Sequence, residues 1–467
     1  MLFQSLSFLI FFPIVCLVYF LLPKVGLRNF FLLGASYYFY MNWEPIYALL
    51  ILSSTIITYF SAWGISLSLK KKNKKCWLWV SIILNLSILF LFKYYGFAAE
   101  NLTTLLKQVG LRIDLPDFQF LLPVGISFYI FQALGYAIDV YRGKTEIERN
   151  FVTYALFVSF FPQLVAGPIE RSNNLLPQFK QKHKFSYESF MSGIYLMLWG
   201  YFLKLVLADR CGLYVDPIFN NVLYHNGGSF LLASFFFTFQ IYGDFAGYSL
   251  IAIGVAKIMG FKLMENFRRP YFSITITDFW HRWHISLSTW FKDYLYIPLG
   301  GNRCGRVRVY FNLMLTFIIS GVWHGANWTF VIWGFIHGIL LCIEKILGWN
   351  KKNFKSGQKF LHWVLTFTLV CFAWVFFRAN TISDALLILK GIFFNISYPF
   401  LSLSNFFIIG LVLFIVGVKE VKDEFNLKFS CSHSSYWIVR HSYIVMMIAF
   451  ILLLGVLNSD QFIYFQF

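Results

Sequence analysis

The run Ser5-Leu-Ser-Phe-Leu-Ile-Phe-Phe-Pro-Ile-Val-Cys-Leu-Val-Tyr-Phe-Leu-Leu22 carries no charged residue. It is close to the roughly 20 apolar residues that cross about 30 Å of hydrocarbon as a helix. Its Phe, Leu and Ile do not alternate with polar residues, as the roughly ten-residue strands of a membrane barrel do. Similar runs recur as far as Asn458. Spans are expected near Ser5–Leu22, Asn29–Met41, Tyr47–Leu67, Cys76–Phe92, Leu121–Val140, Tyr187–Leu207, Phe230–Ile258, Val309–Trp323, Trp328–Ile343, Phe360–Phe377, Ser402–Val418 and Ser442–Leu457. The chain of 467 residues is 58% hydrophobic and 13% charged, against about 45–50% and about 25% in soluble domains. A water-soluble fold is excluded, because so apolar a surface must face lipid. The expected fold is all-α and polytopic: one domain over residues 1–467, with about twelve transmembrane helices plus re-entrant or interfacial helices around a central funnel or tunnel.

The net charge of +18 is placed, not spread. With the amino terminus outside, the alternate loops 23–29, 68–76, 141–185, 260–308, 345–359 and 419–440 face inward and hold 31 of the 39 Lys and Arg. The positive-inside rule then puts both termini outside the cytoplasmic membrane and turns Lys70, Lys71, Lys72, Lys74 and Lys75 toward anionic headgroups. This accounts for the basicity without nucleic acid. The first 22 residues lack a basic n-region and a small-residue cleavage site, so the first run reads as a retained helix. The seven cysteines, Cys16, Cys76, Cys211, Cys304, Cys342, Cys371 and Cys431, form no CxxC pair. Neither a disulfide frame nor a zinc site is expected. An outer amphipathic stretch is expected from Gly96 to Asp117, and no internal repeat is visible.

Two segments are too short or too polar to span. Phe151–Gly167 is broken by Pro162 and Gly167-Pro168, and Tyr271–Leu299 is rich in polar residues. Irregular backbone at membrane depth is tolerated where protein buries it or a wet cavity borders it, so both segments mark a cavity entrance. Within the second, a helix would put His281, His284 and Ser288 on one face at spacings of three and four, with Trp280 and Trp283 beside it. An amphipathic helix at headgroup level explains that pattern equally well. Two imidazoles three apart are half a metal site, but no Cys or third His completes it, so no metal is expected.

The apolar run Val309–Trp323 leads into Ser320-Gly-Val-Trp-His-Gly-Ala-Asn-Trp328. From Arg308 to His324 a helix rises about 24 Å, short of a 30 Å core. His324 should therefore lie below the outer surface, in a turn of Gly325, Ala326 and Asn327 that water or protein must line. His337 lies about 15 Å further back toward the interior. An ionisable group at such depth is a functional candidate, and an imidazole suits acid–base work near neutral pH. Asp244, mid-span in Gln240-Ile-Tyr-Gly-Asp-Phe-Ala-Gly-Tyr-Ser249, needs a partner. It either orients a histidine or ligand hydroxyl, or pairs with a buried Arg or Tyr, and Tyr242, Tyr248 and Ser249 are possible donors. Neither a Gly-x-Ser-x-Gly elbow nor a Walker loop is present, which argues against a serine hydrolase and an ATP-driven pump.

The segments Trp280-His-Arg-Trp-His-Ile-Ser-Leu-Ser-Thr-Trp290, Asp293-Tyr-Leu-Tyr-Ile-Pro-Leu-Gly-Gly-Asn-Arg303, Ser320-Gly-Val-Trp-His-Gly325, Phe160-Phe-Pro-Gln-Leu-Val-Ala-Gly-Pro-Ile-Glu-Arg171, Asp244-Phe-Ala-Gly-Tyr248, Trp374-Val-Phe-Phe-Arg-Ala379 and Phe462-Ile-Tyr-Phe-Gln-Phe467 resemble the membrane-bound O-acyltransferase family. They are most similar to its bacterial branch of alginate O-acetyltransferase membrane subunits and teichoic acid D-alanyl transferases. The resemblance runs through the whole chain. His281 departs from it, since the alginate branch often has Arg there, which weakens a catalytic role for His281.

That resemblance implies a catalytic His324, with His284 as the second important histidine. Asn327, Asp244, Trp283, Ser288 and Trp323 then bind or orient substrate. It implies a thioester donor, acetyl-coenzyme A or an acyl-carrier thioester, at the basic inner face, with no bound cofactor. The implied acceptor is a hydroxyl of an extracytoplasmic polysaccharide or of a periplasmic or surface acetyltransferase partner. In this scheme His324 takes the hydroxyl proton while His284 or Asn327 polarises the acyl carbonyl, and His324 is reached from both faces through a hydrated passage. The competing expectations are a non-catalytic transporter or flippase for a glycan precursor and a structural scaffold for polysaccharide assembly.

Overall fold

The computed structural model describes residues 1–111, 115, 116, 122–165, 167–349, 352, 354–400, 403–427, 436–457 and 463. Cys431, the start of the expected span at Leu121, and the closing Phe462–Phe467 except Ile463 lie outside them. Every regular element among the described residues is helical. Among the described residues, eight helices are long and apolar enough to cross a bilayer: 45–67, 71–108, 187–220, 227–258, 328–346, 356–378, 403–424 and 437–454. These eight coincide with eight of the twelve expected spans, and the other four fall on shorter or more polar helices. Leu6–Leu21, Val25–Met41 and Ile126–Tyr141 have only 16, 17 and 16 residues. Arg306–His324 reaches 19 residues but interleaves Arg306, Arg308, Asn312 and His324 with its apolar ones. The outer stretch expected from Gly96 is instead continuous with the preceding span: Lys71–Leu89, a π-helical turn Phe90–Tyr94 and Tyr95–Gln108 form one 38-residue helical run.

The chain forms two compact units. In the first, Met1–Gly193 with Ala252–Met264, helix Ile126–Tyr141 is buried along nearly its whole length. Two buried hydroxyls beside or on it find partners within the protein, as an interior without water favours. Tyr136 Oη accepts the Glu148 N–H, and Tyr154 Oη donates to Thr58 Oγ1 at 2.6 Å. The expected break in Phe151–Gly167 falls at Phe160, between helices Phe151–Ser159 and Phe161–Leu164. Pro162 starts the second helix, where its missing N–H is harmless. The side chains of Gln132 and Gln163 both donate to the Phe157 carbonyl freed there, at 2.6 and 2.8 Å.

The second unit comprises Ile194–Ile251 and Glu265–Phe467 and holds every candidate site residue. Its hairpin Arg306–His324 and Trp328–Ile346 crosses at Gly321 and Gly334. A Cβ on Gly321 would collide with the Phe330 carbonyl, and one on Gly334 with the Phe317 carbonyl. Small residues let membrane helices approach this closely. Each glycine precedes a histidine by three residues, so the same contact fixes His324 and His337.

Helix Tyr187–Tyr201 passes through a second π-helical turn, Phe202–Ala208, into Asp209–Asn220. The wider turn leaves the Leu205 carbonyl to the Val456 N–H at 3.0 Å, and the Arg210 guanidinium holds the Leu454 carbonyl at 2.7 Å. The segment after helix Trp437–Leu454 is thereby tied to the unit's interior.

Candidate active site

The segment expected as one helix across Asp278–Ser288 is two. Ile276–Arg282 and Ile285–Phe291 are separated at Trp283 and His284, and His284 takes left-handed backbone angles, φ 44° and ψ 54°. Asn266, 1% exposed, causes the break. Its carbonyl accepts the Ile285 N–H at 2.9 Å, and its side-chain oxygen accepts the Ser286 N–H at 3.3 Å and the Ser286 hydroxyl at 2.9 Å. Its amide nitrogen donates to Ser249 Oγ at 3.1 Å. The helix is traded for these bonds, and His281, His284 and Ser288 no longer share a face. His281 is exposed at a cavity wall while His284 is 0% exposed.

The clamp also fixes the tautomer of His284. A backbone N–H can only donate, so the Asn266 atom facing Ser286 N is the oxygen, and His284 Nδ1, 3.0 Å from that oxygen, carries the ring proton. Nε2 is then the basic nitrogen. Burial pushes the imidazole down to about 3, so it stays neutral. A neutral ring with an unprotonated Nε2 accepts hydrogen bonds there, whereas polarising a carbonyl needs a donor.

Aromatic rings join His284 to His324. His284 packs against Phe245 at 4.6 Å and Trp323 at 6.0 Å. Trp323 meets His324 at 5.0 Å, and His324 is bounded by Trp333 at 5.0 Å and Phe377 at 5.3 Å. Trp374 stacks on Trp333 and touches Trp283, which connects the Trp374–Ala379 motif to the site. Arg378 of that motif pairs with Asp216 at 2.7 Å. His324 ends its helix and is 3% exposed. Protein rings thus line it, a difference from the hydrated passage expected.

A cavity of about 410 Å³ lies close by, lined in part by Trp280, His281, Ser288, Lys292, Ser320 and Lys345. Its wall on Arg306–His324 runs from Leu313 to Ser320, so it stops one helical turn, about 6 Å of rise, before His324. Asn302 Oδ1 accepts from Lys345 Nζ and from Tyr296 Oη. The polar loop is anchored from helix Leu403–Glu424, whose Glu424 pairs with Arg269 at 2.6 Å and Arg282 at 2.9 Å.

The remaining expected residues divide. Ser288 Oγ bonds the Trp283 carbonyl and borders the cavity. Asn327 caps helix Trp328–Ile346 through Thr329 N and ties Asn380 O, so both ends of its amide serve the loop. Asp244 pairs with Lys204 at 2.6 Å and accepts the Ile463 N–H at 2.7 Å. Lys204 also pairs with Asp209 at 2.7 Å. Of the expected donors to Asp244, Tyr242 donates to Glu420, and Ser249 Oγ accepts from Asn266. Sequence reasoning missed Lys204, although a lysine inside an apolar run is a visible signal. It also missed Asn266, whose separation of 18 residues from His284 follows no local period.

The sequence profile of the MBOAT, membrane-bound O-acyltransferase, family matches residues 36–383, and the chain belongs to that family. It is a polytopic membrane enzyme, an O-acyltransferase. It is 40% identical over 386 residues to the "Probable alginate O-acetylase AlgI" of Pseudomonas syringae pv. tomato, covering 82% of this chain and 74% of that protein. It is 37% identical over 412 residues to the "Peptidoglycan O-acetyltransferase" of Helicobacter pylori, covering 82% and 77%. A more distant relative, the "Teichoic acid D-alanyltransferase" of Bacillus subtilis, is 30% identical over 277 residues, covering 55% and 69%.

Proposed function

We propose that the protein moves an acetyl group from a cytoplasmic thioester, acetyl-coenzyme A or an acyl-carrier thioester, to a hydroxyl of an extracytoplasmic polysaccharide, directly or through a periplasmic partner protein. It would sit in the bacterial cytoplasmic membrane with both termini outside, the orientation that the positive-inside rule favours for the twelve spans expected from the sequence. The observation that carries this reading is the line of contacts from the cavity with Lys292 and Lys345 at its edge, through Trp280 and Trp333, to His324 and His284. The acetylase names of the relatives support acetyl as the group.

In this reading the donor's polar end meets the two lysines and its thioester points toward Ser320. His324 takes the proton of the attacking hydroxyl, and the unprotonated Nε2 of His284 accepts a hydrogen bond that orients the substrate. The hydroxyl oxygen bonds to the acyl carbon, the C–S bond breaks, and the departing thiolate receives the proton from His324. General-base help contributes about 10²- to 10⁴-fold. His324→Ala in purified, inserted protein should lose that much thioester turnover in the presence of acceptor. Retention of more than half the activity would end the proposal. A transporter would show no turnover in either form.

A further inference from the structure

We propose that His337 is a positioning residue that latches the Trp280 indole as the partition between the cavity and His324. The proposal rests on reading the cavity as the route toward His324. Trp280 lines the cavity. Its ring neighbours include Phe317 at 5.0 Å, His337 at 5.1 Å, Phe279 at 5.5 Å and Trp333 at 5.7 Å, and Trp333 lies 5.0 Å from His324. The single polar atom of the indole, Nε1, donates to His337 Nδ1 at 3.3 Å.

An indole N–H only donates, so His337 Nδ1 is unprotonated and the ring proton sits on Nε2. This is the reverse of the His284 tautomer, and the accepting nitrogen of His337 is already spent on Trp280. His337 therefore acts through the tryptophan. It is 0% exposed and wedged against Phe279 at 6.2 Å, nearly parallel, and against Trp333 at 5.0 Å. With the imidazole immobile, the bond selects one orientation of an indole whose ring neighbours are otherwise apolar. Leaving that N–H unbonded in a buried site is unfavourable, so the partition stays shut while the bond holds.

The test uses the full-length protein with all seven cysteines replaced and His324→Cys as a reporter behind the partition. The readout is the rate of modification by a small methanethiosulfonate reagent. With His337 present the reporter should react slowly. His337→Leu should accelerate labelling by about three- to tenfold, the equivalent of one net hydrogen bond. His337→Gln, whose Oε1 can accept the indole N–H, should return it to the starting rate. Trp280→Phe should also accelerate labelling, and His337→Leu should then add nothing, because the two act through one contact. An unchanged rate in His337→Leu, or the same acceleration by His337→Leu on the Trp280→Phe background, would overturn the proposal. If His337→Leu does not insert, Trp280→Phe decides: an unchanged rate overturns it. No donor or acceptor is used, so the labelling pattern stands even if acetyl transfer fails its own test.

Discussion

Asn266 Oδ1 lies 3.0 Å from His284 Nδ1 while it also accepts the Ser286 N–H, so one amide both breaks the helix and selects the imidazole tautomer. Asn266→Leu removes the bonds of the side-chain amide to His284 and Ser286 and leaves the backbone bond to Ile285. Loss of a buried hydrogen-bond partner costs about 1–3 kcal/mol, or roughly 5- to 150-fold. The expected result is a fall of that size in kcat for acyl transfer by inserted protein. Steady-state kinetics decide it, and an unchanged kcat would remove Asn266 from the site.

The depressed ionisation of His284 sets the sign of a pH effect. The unfolded imidazole binds a proton near 6.5, whereas the folded one does so only near 3. The unfolded state therefore binds more protons between those values, and folding loses stability as pH falls from about 6.5 toward 3. Thermal midpoints of detergent-solubilised protein should drop over that window, and less steeply in His284→Asn. Parallel slopes for the two proteins would refute the assignment.

Lys204 holds two buried carboxylates, at 2.6 Å from Asp244 and 2.7 Å from Asp209. Removing one partner of a buried pair destabilises by about 3–5 kcal/mol. Lys204→Met should lower the thermal midpoint strongly, and Lys204→Met with Asp244→Asn should recover part of the loss. A double variant no better than the single would show that the charges do not interact as their geometry implies.

At the cavity edge, Lys345→Ala should raise the KM for the thioester donor about two- to fivefold with kcat little changed, the size expected of a partly exposed charge contact. A donor KM equal to that of the parent would take Lys345 out of the donor's path.

Gly334→Leu forces a side chain into the Phe317 carbonyl. Overpacking costs about 1–3 kcal/mol, and here it also spreads the hairpin that carries His324 and His337. Activity and thermal midpoint should fall together. Gly410→Leu, at an exposed position with open space around it, is the matched control and should change neither.

The membrane class of the fold was readable because hydrocarbon thickness imposes a length on apolar runs, and the Leu6–Leu21 helix matches the quoted run almost residue for residue. The number of long apolar helices was not, because Leu6–Leu21, Val25–Met41 and Ile126–Tyr141 have only 16, 17 and 16 residues. Ile126–Tyr141 is as apolar as a span yet is enclosed by protein, a distinction hydropathy does not carry. His324 and His284 stood out because imidazoles are rare in such surroundings. The helix break at His284 escaped, since it depends on an asparagine 18 residues away and on a left-handed backbone that is uncommon for any residue but glycine.

The π-helical turn at Phe202–Ala208 carries one residue more than an ordinary α-helical course would use. Deleting any residue there would hand the Leu205 carbonyl back to its own helix and swing Asp209 and Arg210 about 100° around the axis. The strand of chain beyond Leu454 would lose its moorings at Leu205 and Arg210 in one step. That single surplus residue is thus a fastener, and shortening this stretch should be far more damaging than substituting within it.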